Sequence, residues 1–187
     1  PWCSNPEGIS PDGELIVSRD KLTPEVCPHG AISGHTLDRK ICDDCLTREC
    51  VRLNPNEGVR LSCADYPIAA LMDEVRASKH LFHSGGGMTL SGGEPTLQFT
   101  AVGEFLGLLK AEGINTAMET NGTHQRLPEL FPLLDTLIID LKHYDDTRMA
   151  GTVGRVNAGV FENISAAARS HGNTWLRITL VPGFNSS

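Results

Sequence analysis

After Cys63 the sequence contains no cysteine, although six occur in its 187 residues and five lie between Cys27 and Cys63. This uneven use argues against a disulfide framework. It points to a thiol-rich, metal-binding stretch beside a cysteine-free half, in a reducing compartment such as the cytoplasm. Long hydrophobic runs are missing too: none approaches the roughly 20 residues of a membrane span, which argues against a membrane protein. Positive charge is scarce, with 16 Lys and Arg against 23 Asp and Glu, a net charge of -7 and a pI near 5.4. That balance argues against nucleic acid as a partner. No signal peptide, internal repeat or low-complexity tract is legible. The triplets beginning at Asn121, Asn163 and Asn185 match glycosylation sequons, and in a cytosolic protein they read as chance.

What is present divides at about residue 65. A chain of this length suits one medium domain with a small insertion, and it buries roughly 70% of its unfolded surface. Residues 9–65 have few periodic apolar runs and many Cys, Pro, Gly and Asp, as in a module organised by something other than a core. From Pro67 onward, Ile68, Leu71, Met72 and Val75 stand at helical spacing. Met88–Leu90 then reads as a strand, Phe99–Glu112 as a helix stopped by Gly113, and Ile114–Met118 as a strand. Leu127–Leu134 reads as a short helix broken by Pro132, and Thr136–Asp140 as a strand apolar on both faces. Ala158–His171 predicts a helix and Trp175–Val181 a strand. This β-α-β-α-β-α-β order implies an α/β fold with a parallel sheet and helical crossovers.

In parallel α/β folds, chemistry gathers where strands end. Ser91-Gly92-Gly93-Glu94-Pro95 follows the first strand, Glu119-Thr120-Asn121-Gly122 the second, and Asp140 and Lys142 the third; Arg177 lies in the last. Each has a plain alternative: a tight turn for Gly92-Gly93 and for Asn121-Gly122, a solvated carboxylate for Glu94, a cap for Asp140, a surface lysine for Lys142. Arg177 in a buried strand would need an anion partner. Together, on one edge, these residues favour a ligand bearing both ammonium and carboxylate groups.

The cysteines form a second constellation. Cys42, Cys45 and Cys50 are local, and Cys27-Pro28 supplies a distant fourth, as in ferredoxins with a C-x₂-C-x₂-C run plus a Cys-Pro. The last gap here is x₄ rather than x₂. Where a second Cys-Pro would fall the chain reads Asn54-Pro55, so one cluster is expected. Cys63 is a spare or an alternative fourth ligand to Cys27. A zinc knuckle on the same thiolates is the structural alternative, and the Cys-Pro-x-Gly-Ala-Ile stretch tilts the reading to iron–sulfur. His29, His35 and His80 are isolated histidines, which more often are not ligands.

Trp2-Cys3-x-Asn5-Pro6-Glu7, Gly87 to Pro95, Glu119-Thr-Asn-Gly122, Asp140-Leu-Lys142, Arg177 and Val181-Pro-Gly-Phe-Asn185 occur in order over nearly the whole chain. In this the chain resembles the radical S-adenosylmethionine (SAM) activating enzymes of glycyl radical enzymes, the family of pyruvate formate-lyase activating enzyme. The resemblance implies a partial (β/α)₆ barrel over 66–187, a ferredoxin-like insertion over 9–65 holding an auxiliary [4Fe–4S] cluster on Cys27, Cys42, Cys45 and Cys50, and the end of a cluster loop over 1–8. Cys3 matches the third cysteine of the family's C-x₃-C-x₂-C loop, which holds a [4Fe–4S] cluster with one iron open to SAM. Gly92, Gly93 and Glu94 match the motif that binds the SAM amino group, with Ser91 and Thr89 on the same rim. Glu119 and Arg177 match positions near SAM, and Asp140 and Lys142 match the motif associated with SAM and peptide-substrate binding.

The implied activity is reductive cleavage of SAM to a 5′-deoxyadenosyl radical that abstracts hydrogen from a glycine of a partner glycyl radical enzyme. An electron donor such as flavodoxin or ferredoxin is implied with it, as is anaerobic work. The competing readings are a radical SAM enzyme on a small molecule and a non-catalytic iron–sulfur or zinc electron-transfer module. The barrel pattern is expected to be incomplete at both ends, the first two loop cysteines lying upstream of Pro1, so that this stretch alone holds iron poorly at the SAM site and shows little activity.

Overall fold

The computed structural model describes residues 13–23, 27–53, 58–154, 156–157 and 159–186. They form two compact units that divide between Asp65 and Tyr66. In the first, β1 (Leu15–Val17) pairs antiparallel with β4 (Val59–Leu61), and β2 (Ile32–Ser33) with β3 (Thr36–Leu37). Two short helices lie between β3 and β4 in the chain, α1 (Arg39–Asp43) and α2 (Glu49–Leu53). Asp38 caps α1 by accepting from the Lys40 N–H. Leu15, Leu22, Ala31, Ile32 and Val59 form a small apolar cluster that includes Cys42 and Cys50. The sequence predicts a module without a core; the structure has a small one, hidden from periodicity because its members come one or two at a time from short elements.

In the second unit, α3 (Ile68–Ser78) buries Met72 and Val75, as their spacing predicts. Beyond it come β5 (Gly87–Leu90), α4 (Phe99–Ala111), β6 (Asn115–Thr120), β7 (Thr136–Asp140), α5 (Asp146–Val153), α6 (Val160–Ser170) and β8 (Thr174–Arg177). The four strands make one parallel sheet in the order β5-β6-β7-β8. Met118, Leu137 and Ile139 are fully buried on one face of it, against a cluster that includes Met72, Val75, Leu106, Leu109, Leu127 and Val160. Side chains alternate between faces along a strand, so Ala117, Glu119, Ile138, Asp140, Trp175 and Arg177 stand on the other. That face is open to solvent to differing degrees. Among the described residues no helix is long and apolar enough to cross a membrane.

Four boundaries differ from those the pattern predicts. β6 runs on to Thr120. The turn of 3₁₀ helix at Leu127–Leu133 continues through Pro132. Leu127, Leu130 and Phe131 are buried along it. The predicted helix 158–171 is α6, and α5 stands before it as a separate helix. Its signal was local: the Asp145 carboxylate accepts from the Thr147 and Arg148 N–H groups and caps it. The last strand stops at Arg177 rather than Val181, because the Asn185 side chain takes Thr179 O and the Val181 N–H out of any ladder. Trp175, Leu176, Ile178 and Leu180 are exposed there.

The turn after β6 is fixed from below. Asn163 of α6 is buried, and its amide donates to Gly122 O at 2.8 Å and His124 O at 2.9 Å. Gly122 has φ 72°, and a Cβ there would stand 2.7 Å from Ile139 Cγ2. Gly122→Ala is therefore expected to destabilise the fold by about 1–3 kcal/mol, read as a lower urea midpoint at constant m. An unchanged midpoint would mean that the turn absorbs the methyl group.

Candidate functional site

Strand register places the charged residues. Glu119 lies opposite Ile138, and Asp140 opposite Arg177, so the ends of β6, β7 and β8 present their side chains to one region of the open face. Arg177 joins them. Its Nε donates to Asp140 Oδ1 at 2.7 Å, and its Nη2 donates to Glu119 Oε2 at 2.9 Å and Asp140 Oδ2 at 3.3 Å. Ser91 Oγ, at the end of β5, donates to the same Glu119 oxygen at 3.3 Å. Lys142 Nζ stands 3.6 Å from Asp140 Oδ2. Bonding to Asp140, and then to Glu119, raises the guanidinium pKa above its ordinary value, so Arg177 stays charged. The anion partner that the sequence demanded for Arg177 is present twice over, although β8 is exposed rather than buried.

The turn after β5 is built on Glu94. Its Oε1 accepts from Thr96 N (3.1 Å), Thr96 Oγ1 (2.6 Å) and Thr120 Oγ1 (2.7 Å), and its Oε2 accepts from Asn121 N (2.7 Å). The carboxylate thus caps the short 3₁₀ helix Pro95–Gln98 and ties the end of β5 to the end of β6. Sequence reasoning missed Thr96, Thr120 and Asn121 as its partners; their only signal was their position in or beside the two motifs. Ser91, Gly92 and Gly93 are exposed in the turn, and Thr89 is exposed on β5. Gly92 has φ 118°, and nothing lies within 4 Å of where its Cβ would be. A backbone open on that side can be approached closely by a ligand.

Of the predicted thiol ligands, Cys27, Cys42, Cys45 and Cys50 line a single cavity walled by Leu15, Ile32 and Val59. Cys63 is not among its lining residues; it packs against Gly13, where a Cβ would come within 2.5 Å of its sulfur. Cys27 Sγ accepts from Ala31 N at 3.3 Å. The Arg48 N–H and the Thr47 hydroxyl lower the Cys45 pKa, whereas burial and the neighbouring Cys27, Cys42 and Cys45 raise that of Cys50. His29 also lines the cavity, while His35 and His80 bond to the carbonyls of Arg19 and Ala77. Among the described residues no three His, Cys, Asp or Glu side chains form a group suited to a single metal ion. Cys3 lies outside the described residues.

Glu94→Gln puts an N–H₂ group where a carboxylate oxygen accepts, facing either the Asn121 N–H or the two threonines. The loss expected is about 1–3 kcal/mol of stability, measured by thermal melting. Retention of the wild-type midpoint would mean that Glu94 does not hold the two turns.

The radical SAM superfamily model matches residues 55–187. The 4-hydroxyphenylacetate decarboxylase activating enzyme of Clostridioides difficile is 30% identical over 203 residues, covering all of this chain and 64% of the relative. The isethionate sulfite-lyase activating enzyme of Desulfovibrio desulfuricans is 31% identical, covering all of this chain and 65% of the relative. The chain thus spans slightly less than two thirds of the length of these relatives. A domain of pyruvate-formate lyase-activating enzyme from Bacteroides vulgatus superposes with a TM-score of 0.50 at 27% identity, over 55% of this chain and 65% of that one. With its parallel α/β sheet and a match over most of its length, this chain belongs to the radical SAM superfamily.

Proposed function

We propose that the protein cleaves S-adenosylmethionine reductively and uses the resulting 5′-deoxyadenosyl radical to take a hydrogen from a glycine Cα of a partner glycyl radical enzyme, thereby activating it. The observation that carries this reading is the meeting of Glu119, Asp140, Lys142 and Arg177 at the ends of successive parallel strands. Two carboxylates and two cations match an amino acid's ammonium and carboxylate, and the open side of Gly92 leaves backbone to receive them. Relatives named as activating enzymes of a decarboxylase and a sulfite-lyase support the choice of a protein partner over a small molecule.

When bound, a [4Fe–4S] cluster and SAM supply the electron and the radical. The protein's residues hold and orient. Cys3 serves as the third thiolate of the cluster loop. Glu119 faces the ligand's ammonium and Arg177 its carboxylate, with Ser91 and Thr89 on the same rim. Glu94 acts through the two turns that it joins, Gly92 and Gly93 offering backbone carbonyls. Asp140 and Lys142 position SAM and the peptide substrate.

Cys27, Cys42, Cys45 and Cys50 are assigned to an auxiliary [4Fe–4S] cluster. A single zinc ion needs thiolates converging to about 2.3 Å from one point. Thiols arranged round a cavity suit a group that spans it, and the N–H bond to Cys27 Sγ is of the kind that stabilises cluster thiolates. A flavodoxin- or ferredoxin-type donor in a reducing cytoplasm completes the scheme.

After anaerobic reconstitution with iron and sulfide, Cys42→Ala should lose one cluster's worth of iron; unchanged iron with stoichiometric zinc would overturn the auxiliary assignment. The holoprotein with reductant and SAM should form 5′-deoxyadenosine, and Lys142→Ala should slow glycyl radical formation by ~10²-fold through misplacement of the reacting groups. Absence of 5′-deoxyadenosine from fully loaded wild-type protein would sink the reading.

A further inference from the structure

The segment after β8 folds back onto the segment after β7, and the Asn185 side chain bonds the backbone of both. The last ladder bond between the two runs from Leu141 N to Arg177 O, at 3.0 Å. Just beyond it the chains part, and the Asn185 carboxamide spans the gap. Its Nδ2 donates to Lys142 O at 2.9 Å and to Thr179 O at 2.8 Å, while its Oδ1 accepts from Val181 N at 2.7 Å. A primary amide has two N–H donors, and both are used. The adjoining Phe184 is anchored independently. It is buried, its carbonyl accepts from Arg148 Nη1 at 2.8 Å, and its ring meets that of His143 edge-on, with centroids 5.1 Å apart. His143 is itself pinned, its Nδ1 accepting from Asp145 N at 2.8 Å and its carbonyl accepting from Asn157 Nδ2 at 2.8 Å.

We infer that Asn185 is a positioning residue for Lys142: its carboxamide fixes the Lys142 backbone past the end of the ladder and thereby sets where the ammonium stands relative to Asp140 and Arg177. The inference rests on the proposed reading of Lys142 as a residue of the SAM and peptide site. The chemistry favours placement over mere loop closure. Within its own turn Asn185 is already held by its bonds to Val181 and Thr179, whereas its other Nδ2 bond reaches across 43 residues to the carbonyl of the lysine.

The test uses the holoprotein with its lysines reductively ¹³C-methylated, the Lys142 resonance being identified by its loss in Lys142→Arg. Asn185→Asp keeps the acceptor for Val181 and removes both donors. Asn185→Ala serves if the carboxylate, set against two carbonyls, prevents folding. In the wild type the Lys142 resonance should stand apart from those of freely exposed lysines and move when SAM is added. In the variants it should collapse toward the exposed-lysine position, and SAM affinity by calorimetry should weaken roughly three- to tenfold, as expected for one lost hydrogen bond. A purely structural role would lower the melting temperature while leaving the resonance and the affinity unchanged, and that result overturns the inference. If the variants shift the free resonance but SAM moves it in neither protein, the clasp stands and the reading of Lys142 as a SAM-site residue falls.

Discussion

Glu119 and Asp140 stand on adjacent parallel strands, and their coexistence depends on one guanidinium. Two carboxylates at neighbouring strand ends repel. Arg177 removes the conflict with three hydrogen bonds from a planar fork, a geometry that a lysine cannot reproduce. With Lys142 beside Asp140, the group carries two charges of each sign. Its charges therefore balance internally, and in the proposed function the same groups would take new partners in the ammonium and carboxylate of SAM.

The supports of this group are mostly hydrogen bonds between turns. Glu94 links the ends of β5 and β6, Asn163 holds the turn after β6 from the helical side, and Asn185 joins the segments after β7 and β8. Each support is a side chain bonded to backbone N–H or C=O groups that would otherwise lack a ladder partner. The strands set the register of the site, and these three residues set the shape of its rim.

Much of this could be read from the sequence, for identifiable reasons. Helical spacing at Ile68, Leu71, Met72 and Val75 and the apolar run Thr136–Asp140 put α3 and β7 where they fall, although β7 buries Leu137 and Ile139 on one face only, not both faces as its composition suggests. The strand-end charges were visible because a parallel sheet collects such residues on one edge. What escaped depends on contacts between residues far apart in the chain. Nothing in the spacing relates Glu94 to Asn121, 27 residues on, or Asn185 to Lys142. The shortened β8 escaped for a different reason: Ile178 to Val181 has strand-like composition, but the Asn185 amide, only four to six residues on, takes Val181 N and Thr179 O. In the cysteine-rich unit, C-x₂-C spacing announced the thiols, and only the fold separates Cys63 from the four that share a cavity.

Trp175 precedes Arg177 by one strand repeat on the same exposed face, its indole N–H donating to Asn173 Oδ1 at 2.8 Å. An indole in that place carries an optical consequence. Its emission depends on the water and charge around it, and the ion-pair group begins one pleat away. The sheet thus bears a built-in fluorophore on its open face, and a ligand seated there as proposed would be seen without any label.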